Sequence, residues 1–231
     1  MIKNNLEIIE QRIESACKKS GRKKEDVTLI CVSKTKPVSM IYDAINCGYR
    51  EFGENKVQEL CNKIEEINDD TLKWHLIGHL QTNKVKYIID KTHLIHSVDS
   101  LHLATCISKE AVKKNVSVDI LIEVNVANED TKFGITVDEC EDLIREISKL
   151  PGLSVKGLMT IAPFVENPEE NRVHFANLRK LLIDINNKNI DNVFMNVLSM
   201  GMTNDFEIAI EEGATHIRVG TAIFGERQYL R

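Results

Sequence analysis

Residues 27–37 read VTLICVSKTKP, an apolar run that ends on a lysine. Nothing in Leu29, Ile30, Cys31 and Val32 alternates with polar residues, so the segment predicts a strand buried on both faces. Such strands belong to parallel sheets covered by helices. In those folds ligands sit at the carboxyl ends of the strands, and Lys34 stands at that end. An amine placed there, partly desolvated and beside other positive charge, has a lowered pKa and is nucleophilic toward an aldehyde or ketone. The alternative is that Lys34 only marks the strand leaving the core for solvent.

On either side of this strand the chain alternates helix and strand. The opening MIKNNLEIIEQRIESA is an amphipathic helix of mixed charge, unlike a signal peptide or an anchor. Further strands are predicted over residues 49–52, 73–77, 93–97, 118–126, 153–161, 193–198 and 216–219. Helices are predicted over 39–46, 54–68, 83–90, 100–113, 137–149, 168–187 and 205–212, with Gly48, Gly152 and Gly213 as stops. Eight strands, each followed by a helix or helical turn, match an α/β fold of one kind in particular. It is a closed (β/α)8 barrel in a single domain, residues 1–231, carrying an extra N-terminal helix. A doubly wound open sheet is the other arrangement the pattern allows.

Composition narrows the function classes. A chain of 231 residues, 42% hydrophobic and 28% charged, can bury one large core. The net charge of -5, with both signs interspersed, gives no polyanion-binding face, so no nucleic-acid partner is expected. The basic residues Lys18, Lys19, Arg22, Lys23 and Lys24 read as a solvated helix end. The six cysteines are scattered without a CxxC pair, which suits a reducing cytoplasm. No apolar run is long enough to span a bilayer, so no membrane association is expected.

In a barrel, function lies where strands end. Those corners carry Lys34; GEN at Gly53, Glu54 and Asn55; HLIGHLQTNK; VNVANEDTKFG; GLMTIAP; LSMGMTND; and RVGTAIFGE. Glycine and hydroxyl occur together at the last two, in Ser199, Met200, Gly201 and in Val219, Gly220, Thr221. Glycine admits backbone N–H groups close to an anion, and the loops after strands seven and eight frequently form a phosphate site. Glycines at strand ends also relieve crowding. Arg218 shares the face of Gly220 within the last strand, and a buried arginine needs an acid such as Glu123 or an acceptor on a ligand. His75 and His79 lie on a strand and turn, not on one helix face, and no HExxH occurs, so no metal is expected. Lys84 and Lys132 read as solvated charges.

A strand-end lysine, two glycine–hydroxyl corners and a strand arginine together ask for a ligand that is both aldehyde and phosphate ester. Pyridoxal 5'-phosphate (PLP) is such a ligand, and its pyridine nitrogen would be the acceptor for Arg218. The chain resembles the pyridoxal phosphate homeostasis family, whose members are similar to the barrel domain of alanine racemase standing alone. The resemblance runs from VSKTKP through FGENKVQE, WHLIGHLQTNK, VNVANEDTKFG and GLMTIAP to LSMGMTND and IRVGTAIFG. It implies that Lys34 carries PLP as a Schiff base and that Lys36 is the family's non-cofactor lysine. By the same resemblance Ser199, Gly220 and Thr221 hold the phosphate and Arg218 faces the ring nitrogen. The resemblance also implies that Asn55 and Met159 lie beside the cofactor. Lys56 and Thr203 depart from the family pattern, and Thr203 keeps the hydroxyl of the usual serine.

An arginine at the ring nitrogen disfavours its protonation and weakens the ring as an electron sink. Racemisation needs acid/base groups on both faces of the substrate, and Lys34 is the one evident base. In alanine racemases the second is a tyrosine from a C-terminal domain, for which a chain ending at Arg231 leaves no room. The leading expectation is a PLP-binding protein of vitamin B6 homeostasis with no catalytic activity, serving as a buffer and a source for PLP-dependent apo-enzymes. A monomer is expected. The alternatives are a PLP-dependent amino-acid racemase and a cofactor-free lysine aldolase.

Overall fold

The computed structural model describes residues 1–129 and 132–226. Asp130 and Thr131 of the VNVANEDTKFG motif, and the last residue Arg231, lie outside the described residues. Eight parallel strands close into a barrel in chain order. They are β1 (Thr28–Val32), β2 (Glu51–Glu54), β3 (Lys73–Leu76), β4 (Leu94–Val98), β5 (Val118–Glu123), β6 (Leu153–Met159), β7 (Val193–Met202) and β8 (His216–Val219). The helices are α1 (Ile2–Lys19), α2 (Val38–Asn46), α3 (Val57–Ile67), α4 (Leu101–Lys114), α5 (Cys140–Ile147), α6 (Arg172–Asn186), α7 (Phe206–Glu211) and the single turn α8 (Thr221–Phe224). Closure excludes the open sheet.

The unalternating apolar pattern of β1 has its cause in this layering. Leu29 and Cys31 join the apolar layer shared with the helices. Ile30 lies in register with Arg218 of β8, and Val32 lines the cavity above. Both faces of the strand are therefore dry.

The N-terminal helix α1 buries Ile2, Leu6, Ile9, Ile13 and Ala16, one stripe at helical spacing. It also fastens the last two βα units. Arg12 forks onto the Glu207 carboxylate at 3.1 and 2.7 Å. Beyond the helix, Arg22 Nη1 donates to the Ile210 and Ala214 carbonyls at 2.8 Å each. Asn5 Nδ2 donates to Ile223 O at 2.9 Å. The corners after β7 and β8 thus rest on a fixed base.

Element boundaries differ from the sequence reading where short-range pattern could not see tertiary pairing. β5 ends at Glu123, because Val124 bridges Ile135 across a returning loop. The helix expected at 83–90 is a 3-10 helix, Thr82–Tyr87. α6 begins at Arg172, since the Asn167 side chain caps Glu169 N and Pro168 opens a separate 3-10 turn, Pro168–Asn171.

Candidate functional site

A cavity of about 980 Å³ opens at the carboxyl ends of the strands. Of the sequence-predicted residues, Lys34, Asn55, Arg218, Gly220 and Thr221 line it together. They come from three corners, after β1, β2 and β8, and meet because the barrel closes between β8 and β1.

Lys34 follows β1 in a turn whose next residue, Thr35, has φ +64°. A β-branched residue rarely adopts that left-handed conformation. Buried charges hold the turn in place. Thr35 N donates to Glu59 Oε1 at 2.6 Å. Lys63 Nζ donates to Ser33 O at 2.8 Å and pairs with Glu54 and Glu59, both at 2.7 Å. Ser33 Oγ donates to Glu54 Oε1 at 2.6 Å. Residues on both sides of Lys34 are therefore clamped from α3 and the end of β2. Burial raises the Glu54 carboxyl, opposed by its contact with Lys63. Lys34 Nζ itself donates to Asn55 Oδ1 at 3.4 Å. Lys36 is held elsewhere, donating to Gly225 O and Glu226 O at 2.9 and 2.7 Å.

Asn55 is braced from behind by Gly78 of the HLIGH corner. A Cβ at Gly78 would fall 2.5 Å from Asn55 O, so no other residue admits this approach.

Arg218 is buried from solvent and lines the cavity. Nη1 donates to Ser199 Oγ at 2.6 Å and Nη2 to Thr160 O at 2.8 Å. An arginine carries five N–H donors, so these two bonds leave capacity for another acceptor. Burial lowers its pKa to about 10 against the opposing charges of Asp205 and Glu123. The expected ion-pair partner Glu123 acts only through that field. Burial pushes its own carboxyl up to about 7.

Ser199 and Met159 are both fully buried and do not line the cavity. Ser199 Oγ is bonded to Arg218 and to His96 Nδ1, the latter at 2.9 Å. Met159 packs with Leu94 and Leu121 inside the barrel. The hydroxyl that reaches the cavity from the β7 corner is Thr203. It accepts from Thr221 Oγ1 at 3.1 Å, which joins the two glycine–hydroxyl corners. Gly201, at φ +89°, makes the turn that brings Thr203 there. The available signal was the family's serine at position 203, replaced here by another hydroxyl. Lys132, read as a solvated charge, also lines the cavity. It is held by Ala162 O at 3.0 Å and Glu129 at 3.1 Å.

Among the described residues no group of histidines, cysteines or acids has metal-holding geometry. No helix among them is long and apolar enough to cross a membrane.

Residues 4–228 match the family model of the alanine racemase N-terminal domain. The pyridoxal phosphate homeostasis protein of Aquifex aeolicus is 48% identical over 95% of this chain and 95% of its own length. The chain belongs to the pyridoxal phosphate homeostasis family. This family assignment extends to structure. PipY of Synechococcus elongatus, solved with PLP bound, is 32% identical with a TM-score of 0.85, covering 97% of this chain and all of that one. An alanine racemase from Clostridium difficile shares the fold at 17% identity and TM-score 0.74, and the match covers 57% of that racemase chain.

Proposed function

We propose that this member of the family binds PLP, holds it covalently through Lys34 Nζ and serves its cellular homeostasis. The observation that carries this reading is one chamber uniting an amine, a guanidinium and a facing pair of hydroxyls. That donor set fits an aldehyde, a pyridine nitrogen and a phosphate. Arg218 takes the ring nitrogen. Thr203, Thr221 and the Gly220 backbone take the phosphate, and Ser199 acts through Arg218 on the ring nitrogen. Asn55 orients the lysine, and Met159 fills the barrel beneath. When bound, PLP supplies a reactive aldehyde and a ring that can accept electrons. Arg218, a donor at the nitrogen, limits the second capacity.

The same geometry supports a carrier without turnover. The acids on the wall are already engaged. Glu129 pairs with Lys132, and Asp205 accepts from Asn171 and from Met202 N. None stands ready as the second acid/base group that racemisation needs. Transfer of PLP to apo-enzymes in the cytoplasm, by a monomer, is the cellular role this reading carries. The six cysteines are all free, as a reducing compartment requires.

The test is the visible absorption spectrum of the protein with PLP, followed by borohydride reduction and peptide mass mapping. A yellow protein with the reduced adduct on Lys34 is expected, and Lys34→Ala abolishes the adduct while the chain stays folded. A protein that remains colourless with PLP overturns the reading. Exchange of an amino acid's α-proton at the loaded site replaces the carrier with a racemase.

A further inference from the structure

We infer that Ser199, His96 and His75 form a one-directional hydrogen-bond relay through the barrel core that positions the Arg218 guanidinium against a distant carboxylate, Glu51. The inference deepens the cofactor reading above, since it assigns these buried groups to the ring-nitrogen partner.

The links are continuous. Arg218 Nη1 meets Ser199 Oγ at 2.6 Å, Ser199 Oγ meets His96 Nδ1 at 2.9 Å, and His96 Nε2 meets His75 Nδ1 at 2.9 Å. His75 Nε2 then reaches Glu51 Oε2 at 2.8 Å. The groups come from β8, β7, β4, β3 and β2, so the relay crosses the barrel interior. It ends on the first residue of β2, at the mouth opposite the cavity.

The chemistry of the two ends sets the proton on every link. Glu51 as a carboxylate only accepts, so His75 must carry its proton on Nε2. A neutral His75 then presents a bare Nδ1, which takes the Nε2 proton of His96. A neutral His96 in turn presents a bare Nδ1, which takes the hydroxyl proton of Ser199. The serine oxygen is left to accept from Arg218, which only donates. Each donor has one acceptor, and no other arrangement of neutral rings satisfies all four contacts.

The surroundings keep the rings neutral. Burial pushes both imidazoles below the ordinary histidine value, against the pull of Glu51 on His75. His93 and His216 pack edge-on at 5.5 and 6.2 Å from His75, and His216 lies 6.4 Å from His96. Lys73, at 2.8 Å from Glu51, and Arg218 add positive charge at the two ends. The relay gives Arg218 a fixed orientation without a second charge beside it. The relay ends on a carboxylate across the barrel, Glu51, while Asp205 and Glu123 supply the opposing charge felt by Arg218, and the guanidinium keeps N–H donors for a ligand acceptor.

Two experiments decide it. The first uses the full-length protein with 15N-labelled histidine rings and needs no cofactor. Near neutral pH, His75 and His96 both give the signals of neutral rings protonated on Nε2. A ring protonated on Nδ1, or a cationic His75 with the chain reversed, overturns the relay. The second compares binding of PLP with an analogue carrying C–H in place of the ring nitrogen. Ser199→Ala weakens PLP about 10-fold and the analogue less than about 2-fold, as loss of a hydrogen bond to a charged group implies. Ser199→Thr, which keeps the hydroxyl, restores the preference. His75→Phe, which leaves Ser199 untouched, shifts it in the same direction. Equal loss for both molecules overturns the positioning role and moves Ser199 to the phosphate they share. A wild-type chain that binds neither molecule overturns the cofactor reading, and the ring signals still decide the relay.

Discussion

Two cations of the cavity, Lys34 and Arg218, are held by opposite means. The Lys34 corner is clamped by buried charges next to it, with Lys63 between Glu54 and Glu59. The Arg218 corner is held by neutral groups that lead to Glu51 across the barrel. Buried ion pairs repay their desolvation only when every lone pair is satisfied. The first corner falls short of that, since Glu54 Oε2 is buried with no hydrogen-bond partner. It also carries the left-handed Thr35. At the second corner each link of the relay is a satisfied donor–acceptor pair. Strain thus accumulates beside the amine proposed to carry PLP, whereas the guanidinium proposed to meet the ring nitrogen sits in a satisfied network.

Breaking the charged clamp has the largest expected effect on stability. Lys63→Met leaves two carboxylates without their shared cation and lowers the unfolding free energy by about 3–5 kcal/mol. Urea denaturation measures it, and a loss under about 1 kcal/mol removes the clamp from the account. Gly78→Ala comes next, at about 1–3 kcal/mol, because the new methyl must displace the Asn55 backbone. The same variant slows or weakens covalent capture of PLP, read by borohydride trapping.

Two acids sharpen the comparison through pH. Burial raises the Glu51 carboxyl, but hydrogen bonds from His75 and Lys73 outweigh it and hold the group at about 2, below its ordinary 4.5. Its folded pKa is depressed, so its contribution is fully present above pH 4.5 and is lost as pH falls toward 2. Glu51→Gln therefore lowers stability at neutral pH and flattens the acid limb. Glu123 has the opposite sign. Burial lifts it from 4.5 to about 7, so stability drains away as pH rises between those values. Glu123→Gln removes that slope. Melting temperatures across pH 2–8 test both acids. The smallest effect belongs to Lys36→Ala. It breaks two exposed-end contacts with Gly225 and Glu226 and leaves the PLP adduct on Lys34 unchanged by mass mapping.

Much of the fold was legible because a strand buried on both faces has to be apolar throughout, and the segment ending at Lys34 is. The alternation of such strands with amphipathic helices then announced the barrel. Of the site, Lys34, Arg218, Gly220 and Thr221 were readable from strand-end position and residue chemistry. Ser199 lies deeper than a strand-end reading puts it. Its motif reads as a corner, but β7 runs on to Met202 and leaves Ser199 inside the barrel. The hydroxyl at the cavity is four residues later. His75 and His96 carried no usable signal. Each reads alone as an ordinary core histidine, and their contact joins residues 21 apart on different strands.

Sequence by itself therefore determined the kind of element at each position and which corners bear chemistry, since burial and backbone preference act locally along the chain. Tertiary structure alone decided which hydroxyls line the cavity, which groups meet the Arg218 guanidinium, and that Lys63 grips the turn around Lys34. Those outcomes depend on strand register and barrel closure, and both are set by contacts between residues distant in sequence.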